Sequence, residues 1–178
     1  MPLRLVGNGH NVPLPDGRRQ SAGKEYRASH FYADEKTVSI EYGQAYGYAD
    51  GSLLRREITF EGGGGLEDEG LESGSFLLTD TFRSPEASSS LTENFVFPVA
   101  PEIKGNKLLL AFNEEQHPFT VTVTLPEDAV LTVTPKLHVA HGGRKETVFI
   151  VRATFLMRSN ASPRICRDNP IFIRINVS

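Results

Sequence analysis

Two histidines and a glutamate near residue 140 come closest to the residue types and spacing of a metal site. They are His138, His141 and Glu146. Side chains two apart on a strand share a face, whereas these histidines are three apart and would point to opposite faces unless a bulge intervenes. We therefore expect polar residues at a strand end before the turn Gly142-Gly143, and we predict no metal and no cofactor.

Three tyrosines offer a different chemistry, the stacking of aromatic rings on a ligand. Tyr42, Tyr46 and Tyr48 share one face of a predicted long strand that starts at Val38, and small residues occupy its other face. Tyrosines bring a large contact area at a low cost in side-chain entropy, so the row could stack against sugars or a protein partner. The same row could instead cover one end of the core, and the sequence leaves both interpretations open.

Motifs for nucleotide binding or nucleophilic catalysis are missing from the sequence. Four glycines at 62–65 are followed by acidic residues where a phosphate-binding loop requires lysine. No G-x-S-x-G turn is present. The single cysteine, Cys166, is interpreted as a structural thiol, because a reactive thiol needs a specific electropositive site. These observations predict a protein that is not an enzyme.

Charge and hydropathy limit the partners. The 178 residues include 22 acidic and 19 basic side chains, a net charge of −3, which is too balanced for a nucleic-acid partner. No segment reaches the ~18 consecutive apolar residues that suggest a membrane helix, and the first seven residues lack the apolar run of a secretory signal. We expect cytoplasmic synthesis and no membrane partner.

The elements that would position these residues are strands. Short runs of β-branched and aromatic residues alternate with polar ones between Gly, Pro, Asn and Asp, a pattern typical of strands and turns. The pattern predicts an all-β fold, an antiparallel β-sandwich or jelly roll of about ten strands. The clearest strands are predicted at 38–48, 53–60, 119–125, 133–139, 147–157 and 170–177, and weaker ones at 25–32, 75–82, 94–98 and 107–112.

Composition divides the chain into an extended N-terminal arm, residues 1–23, and one β-sandwich domain, residues 24–178. Glycines and prolines interrupt every periodicity in the arm. Residues 61–74 are a predicted surface loop, because a run of four glycines is costly to order, and the polar segment 84–90 is predicted to be a second one.

Two apolar features predict contact with another subunit. The strand at 147–157 is apolar on both faces, and such a strand must be covered on both. The arm is too apolar for a solvating tail and could add a strand to an open sheet edge or fold back on its own domain. The expected interface residues are Leu3, Leu5, Val12, Leu14, Val148, Ile150 and Leu156.

Three classes of function follow, in order of preference. The first is a non-enzymatic structural protein that forms a homo-oligomer or joins a larger assembly, such as a virion component for capsid decoration, tail or neck. The second is a β-sandwich module that binds carbohydrate or another ligand through the tyrosines. The third is a cupin-like metal enzyme, based on the two histidines and Glu146 alone. Fold analogy does not by itself establish function.

Overall fold

The structure is a computed structural model in which most of the chain is described. The described residues are 10–48, 52–62, 74–83, 90–113, 118–140, 142–156 and 171–178.

These residues form β-strands and a single turn of 3-10 helix, Gly43–Tyr46, with no α-helix among them. The strands are β1 (Leu14–Pro15), β2 (Ser29–Ala33), β3 (Thr37–Glu41), β4 (Leu53–Phe60), β5 (Gly74–Arg83), β6 (Ser90–Phe97), β7 (Glu102–Lys104), β8 (Lys107–Phe112), β9 (Phe119–Thr124), β10 (Val130–Val139), β11 (Lys145–Leu156) and β12 (Ile171–Val177).

The strands pair into two open antiparallel sheets. The smaller sheet has the order β1-β6-β11-β10, and the larger one has the order β2-β3-β4-β5-β12-β9-β8-β7. Apolar side chains from both sheets meet in one buried cluster. The all-β prediction and the sandwich architecture are confirmed.

Alternation along the strands explains which residues form the core. Ile171 and Ile173 of β12 are 2% and 0% exposed, whereas Phe172 between them is 53% exposed. The same alternation buries Val151 and Phe155 of β11 and Val123 of β9. Pro135 lies in β10 at the end of the smaller sheet, the edge position that its missing N–H predicts.

The predicted strand through the tyrosines is wrong beyond residue 41. The chain leaves β3 at Glu41 and forms the 3-10 turn, which ends at Gly47 with φ 69° and ψ 25°. Glycine adopts this left-handed conformation without a steric penalty, so the turn can end there. The tight turn brings the tyrosines inward instead of along an exposed ribbon.

The described part of the arm, residues 10–23, lies against its own domain. Leu14 pairs with Thr92 and Pro15 with Leu91 across β1 and β6, and Leu14 is 5% exposed. Leu14 was expected to contact another subunit. This expectation is corrected, because residues of the same chain already cover Leu14. Val12 is half-buried in the same segment.

The outer face of β11 is covered unevenly. Ile150 is 2% exposed within the single chain, so it is not available as the interface residue that we expected, whereas Leu156 is 64% exposed. Val148 is half-buried. Of these residues, Leu156 presents the most free apolar surface.

Several sequence predictions fall outside the described residues. They concern Leu3, Leu5, His141, Cys166 and most of the loops at 61–74 and 84–90. Within the described ranges, no helix is long and apolar enough to cross a membrane.

Replacement of Val123 by Ala should lower the free energy of unfolding by about 1–3 kcal/mol, because the side chain leaves a cavity in the core. Val123 is 1% exposed, whereas Val130, at 58% exposed, provides the matched control. Urea denaturation of Val123→Ala and Val130→Ala measures the difference. Equal effects would contradict the assigned face of β9.

Candidate functional site

A mostly buried arginine joins the two sheets through carboxylates on both. Arg56 of β4 lies directly opposite Asp80 of β5, and its Nε donates to Oδ1 of Asp80 at 3.0 Å. Its Nη2 lies 2.5 Å from Oδ2 of Asp80 and 2.5 Å from Oε2 of Glu93, which belongs to β6 of the smaller sheet. We call Arg56, Asp80 and Glu93 the charged cluster.

Strand alternation places these charged residues at core-facing positions. Arg56 stands between Leu54 and Ile58, and Leu54 is 1% exposed. The side chains of Asp80 and Glu93 are 0% and 1% exposed, and that of Arg56 is 14% exposed. Charged groups are rarely buried in this way unless they are paired.

Tyrosines complete the polar interior around the cluster. The Tyr42 hydroxyl donates to Oδ1 of Asp80 at 3.2 Å, and the Tyr46 hydroxyl donates to the carbonyl oxygen of Pro13. The two rings meet edge to face with centroids 5.9 Å apart. The tyrosines therefore connect the charged cluster to the arm.

The arm is held by backbone atoms that these polar side chains reach. Nη1 of Arg56 donates to the carbonyl oxygen of Asn11 at 3.0 Å, and Nδ2 of Asn94 donates to that of His10 at 2.6 Å. The backbone N–H of Val96 donates to Oδ1 of Asn11 at 2.6 Å. One region thus fixes both sheets and the arm.

One guanidinium faces two buried carboxyl groups, so the cluster is short of positive charge. Burial raises the pKa of Glu93 well above its ordinary value, and the nearby Asp80 raises it further, while Arg56 acts in the opposite direction. Oε1 of Glu93 is buried with no hydrogen-bond partner among the described residues. These observations favour a neutral Glu93 beside an Arg56–Asp80 ion pair.

The same surroundings shift the other groups of the cluster. Burial alone would lower the pKa of Arg56, but Glu93 and Asp80 raise it above its usual value. Burial raises the pKa of Tyr42 well above its ordinary value, and the charge of Asp80 adds to this. Tyr42 therefore serves as a hydroxyl donor to Asp80.

The tyrosines predicted to stack on a ligand lie inside the molecule. Tyr42, Tyr46 and Tyr48 are 7%, 4% and 6% exposed. Tyr48 contacts Phe82 edge to face at 5.7 Å, and the guanidinium of Arg18 lies 4.7 Å from the Tyr48 ring centroid. The tyrosines cover the core, which is the second of the two interpretations.

Two of the three candidate metal ligands lie in the described residues. His138 and Glu146 are direct cross-strand neighbours on β10 and β11, so they share a face as a metal site would need. His141 lies outside the described residues. Within the described ranges, no group of three or more potential ligands could hold a metal ion.

Sequence reasoning missed the charged cluster, although a signal was present. Arg56, Asp80 and Glu93 each occupy the apolar parity of a strand, between residues such as Leu91 and Phe95. A charge at such a position predicts a buried partner, because an isolated buried charge is very costly. The pattern alone could not show that the three strands meet at one point.

Comparison with known proteins gives similarity of structure only. No protein-family model and no curated protein matches the chain. A structure of heparinase III with methylated lysines is similar over 97% of this chain and 24% of its own, with 11% identity and a TM-score of 0.60.

The heparan sulfate lyase HepC from Pedobacter heparinus is similar over 96% of this chain and 24% of its own, with 7% identity and a TM-score of 0.60. At such identities the likeness shows the fold alone. The chain spans about a quarter of the length of these structures.

Removal of the central cation should be severely destabilising. Arg56→Met leaves buried carboxyl groups without their partner, and loss of one partner of a buried ion pair costs about 3–5 kcal/mol. The adjacent Arg55 pairs with Glu41 at the surface, with 47% of its side chain exposed, so Arg55→Met should cost about 0–1 kcal/mol. Chemical denaturation of both variants tests this, and equal losses would contradict a central role for Arg56.

The proton on Glu93 should make stability depend on pH. Because the folded-state pKa is raised, its contribution is complete below the ordinary value of 4.5 and is lost as pH rises through the folded pKa. Glu93→Gln should flatten this decline in the free energy of unfolding. The control Glu61→Gln removes a surface partner of Arg174. The decline in the free energy of unfolding with rising pH should persist in this variant. A decline that persists unchanged in Glu93→Gln would show that Glu93 is ionised.

Proposed function

We propose that this chain is a non-catalytic β-sandwich domain that packs against another protein surface, as part of a polysaccharide-acting protein. The observation that carries the proposal is the extent of the structural similarity. It includes 97% of this chain but 24% of a heparinase III. The fold found here therefore accounts for one portion of a larger protein in each of those structures.

Exposed apolar residues on the hairpin of β10 and β11 support the packing role. Pro135, Leu137 and Val139, which we call the hairpin strip, continue the core-facing row of Leu131 and Val133. Leu131 and Val133 pack on the core, whereas Leu137 and Val139 are 58% and 49% exposed. A row of apolar side chains that continues past the core is suited to a contact with a second surface.

The setting of the hairpin strip indicates what surface would fit it. β10 is an edge strand of the smaller sheet, and edge strands invite pairing with other chains unless they are covered. Lys145 lies directly across from Val139 and shares its face. A partner with an apolar centre and an acidic rim would complement both features.

The expected assembly with another protein surface is thus proposed to involve the hairpin strip. A virion location remains a prediction that rests on an analogy of architecture, and the comparisons with lyases favour a polysaccharide-related setting instead. In the absence of another partner, a second copy of the chain is expected to occupy the hairpin strip.

Light scattering after size exclusion tests the packing role. The unmodified chain should associate as its concentration rises, and the double variant Leu137→Ser, Val139→Ser should shift towards a monomer. Val130→Ser is the matched control, because Val130 is also 58% exposed but lies on the opposite face of β10. A chain that stays monomeric throughout, or that associates equally in all variants, would contradict the proposal.

A further inference from the structure

On the outer face of the larger sheet, one row of side chains runs across five strands. The register pairs Tyr32 with Ser39, Ser39 with Glu57, and Glu57 with Thr79. Thr79 in turn pairs with Phe172. Because directly opposed residues in paired strands point to the same face, these side chains form one line, which we call the aromatic row.

Both ends of the aromatic row are exposed aromatic rings. Tyr32 is 55% exposed and Phe172 is 53% exposed. Four strand spacings separate β2 from β12, which corresponds to about 19 Å between the two ends of the row. Two rings at this distance on one sheet face could contact an extended ligand at two points.

The ring of Tyr32 is held in place by a turn of its own strand. Its hydroxyl donates to Oδ2 of Asp34 at 2.7 Å. Oδ1 of the same carboxylate accepts from the backbone N–H groups of Lys36 and Thr37 at 2.9 and 2.7 Å. The bond to Tyr32 also lowers the pKa of Asp34 and raises that of Tyr32. A ring fixed before binding loses less side-chain entropy when a ligand arrives.

Between the rings, the row offers polar groups suited to hydroxyl-rich ligands. Thr79 carries a hydroxyl group and Glu57 carries a carboxylate that accepts hydrogen bonds, and both are partly exposed, whereas Ser39 between them and Tyr32 is 9% exposed. The core of a protein–protein interface is typically depleted of charged residues, so a carboxylate at the centre of this row fits a sugar chain better than an apolar protein surface.

Charges beside the row argue against a sulfated ligand. Nη2 of Arg55 lies 2.5 Å from Oε1 of Glu41, and Nη1 of Arg174 lies 2.5 Å from Oε2 of Glu61. Each of these basic side chains already has an acidic partner, and Glu57 adds a negative charge at the centre. Among the described residues, this face therefore offers no concentrated basic surface to an anionic chain.

We infer that the aromatic row binds an extended, uncharged polysaccharide segment, with Tyr32 and Phe172 stacking on sugar rings and the polar residues between them bonding to sugar hydroxyls. The inference rests on the proposed function in one respect, namely that the domain belongs to a polysaccharide-acting protein. It assigns a carbohydrate site to a different face from the buried tyrosines.

Affinity electrophoresis of the full chain in gels that contain hydroxyethylcellulose, xylan, galactomannan or heparan sulfate tests the inference. At least one neutral polymer should retard the unmodified chain. Tyr32→Ala and Phe172→Ala should each weaken that binding about tenfold, the order of effect found for bases stacked on aromatic side chains. Phe31→Ala is the matched control, because Phe31 is 69% exposed and adjoins Tyr32 on the strand.

Each other outcome overturns the inference. Absence of binding to every polymer would exclude the site, and binding to heparan sulfate alone would show that the ligand class is wrong. An equal loss of polymer binding in Phe31→Ala would show that binding does not depend on the residues of the aromatic row. Light scattering of the same variants separates this result from the packing role, since the hairpin strip is unchanged in them.

Discussion

The need to pair a buried guanidinium governs the arrangement of this molecule. Arg56 is mostly buried, and its partners come from three places, with Asp80 in its own sheet, Glu93 in the facing sheet and the backbone of Asn11 in the arm. An unpaired charge in such a site would be strongly unfavourable, so the facing of the two sheets and the course of the arm are mutually constrained. Apolar contacts between the sheets are less directional and would tolerate small shifts. The hydrogen bonds of Arg56 tolerate much less.

The fold could be predicted from alternation because one buried face per strand leaves a period of two in the sequence. This worked for β12, where Ile171 and Ile173 are buried and Phe172 is exposed. It failed at Tyr42, Tyr46 and Tyr48, because the chain leaves β3 and turns through the 3-10 helix Gly43–Tyr46, where a period of two no longer applies. The turn depends on Gly47, whose φ is 69°, and a glycine in a predicted strand does not reveal whether the strand bends or continues.

The charged cluster was harder to predict for a different reason. Each member breaks the apolar parity of its strand, which is visible in the sequence, but only the register brings Arg56 opposite Asp80 and the facing of the sheets brings Glu93 to them. Register depends on contacts between residues far apart in the chain, which no local pattern contains. The sequence left open for the same reason whether the arm lies on its own domain or on another subunit. The apolar residues of the arm indicated only that it must lie on a surface. Hydrogen bonds from Arg56 and Asn94 to backbone carbonyls of the arm hold its described part on its own domain.

The unequal widths of the two sheets explain where free surface remains. A sheet of four strands cannot cover one of eight, so even inward-facing residues near the β2–β3 edge, Val38 and Ile58, are 43% and 38% exposed. Conversely, the hairpin of β10 and β11 extends past the core and exposes Leu137 and Val139. The interior is thus closed around the charged cluster, while exposed apolar side chains remain at the edge of the larger sheet and on the hairpin. Chains about 10% identical can share this fold, because many different sequences satisfy the same alternation of buried and exposed side chains.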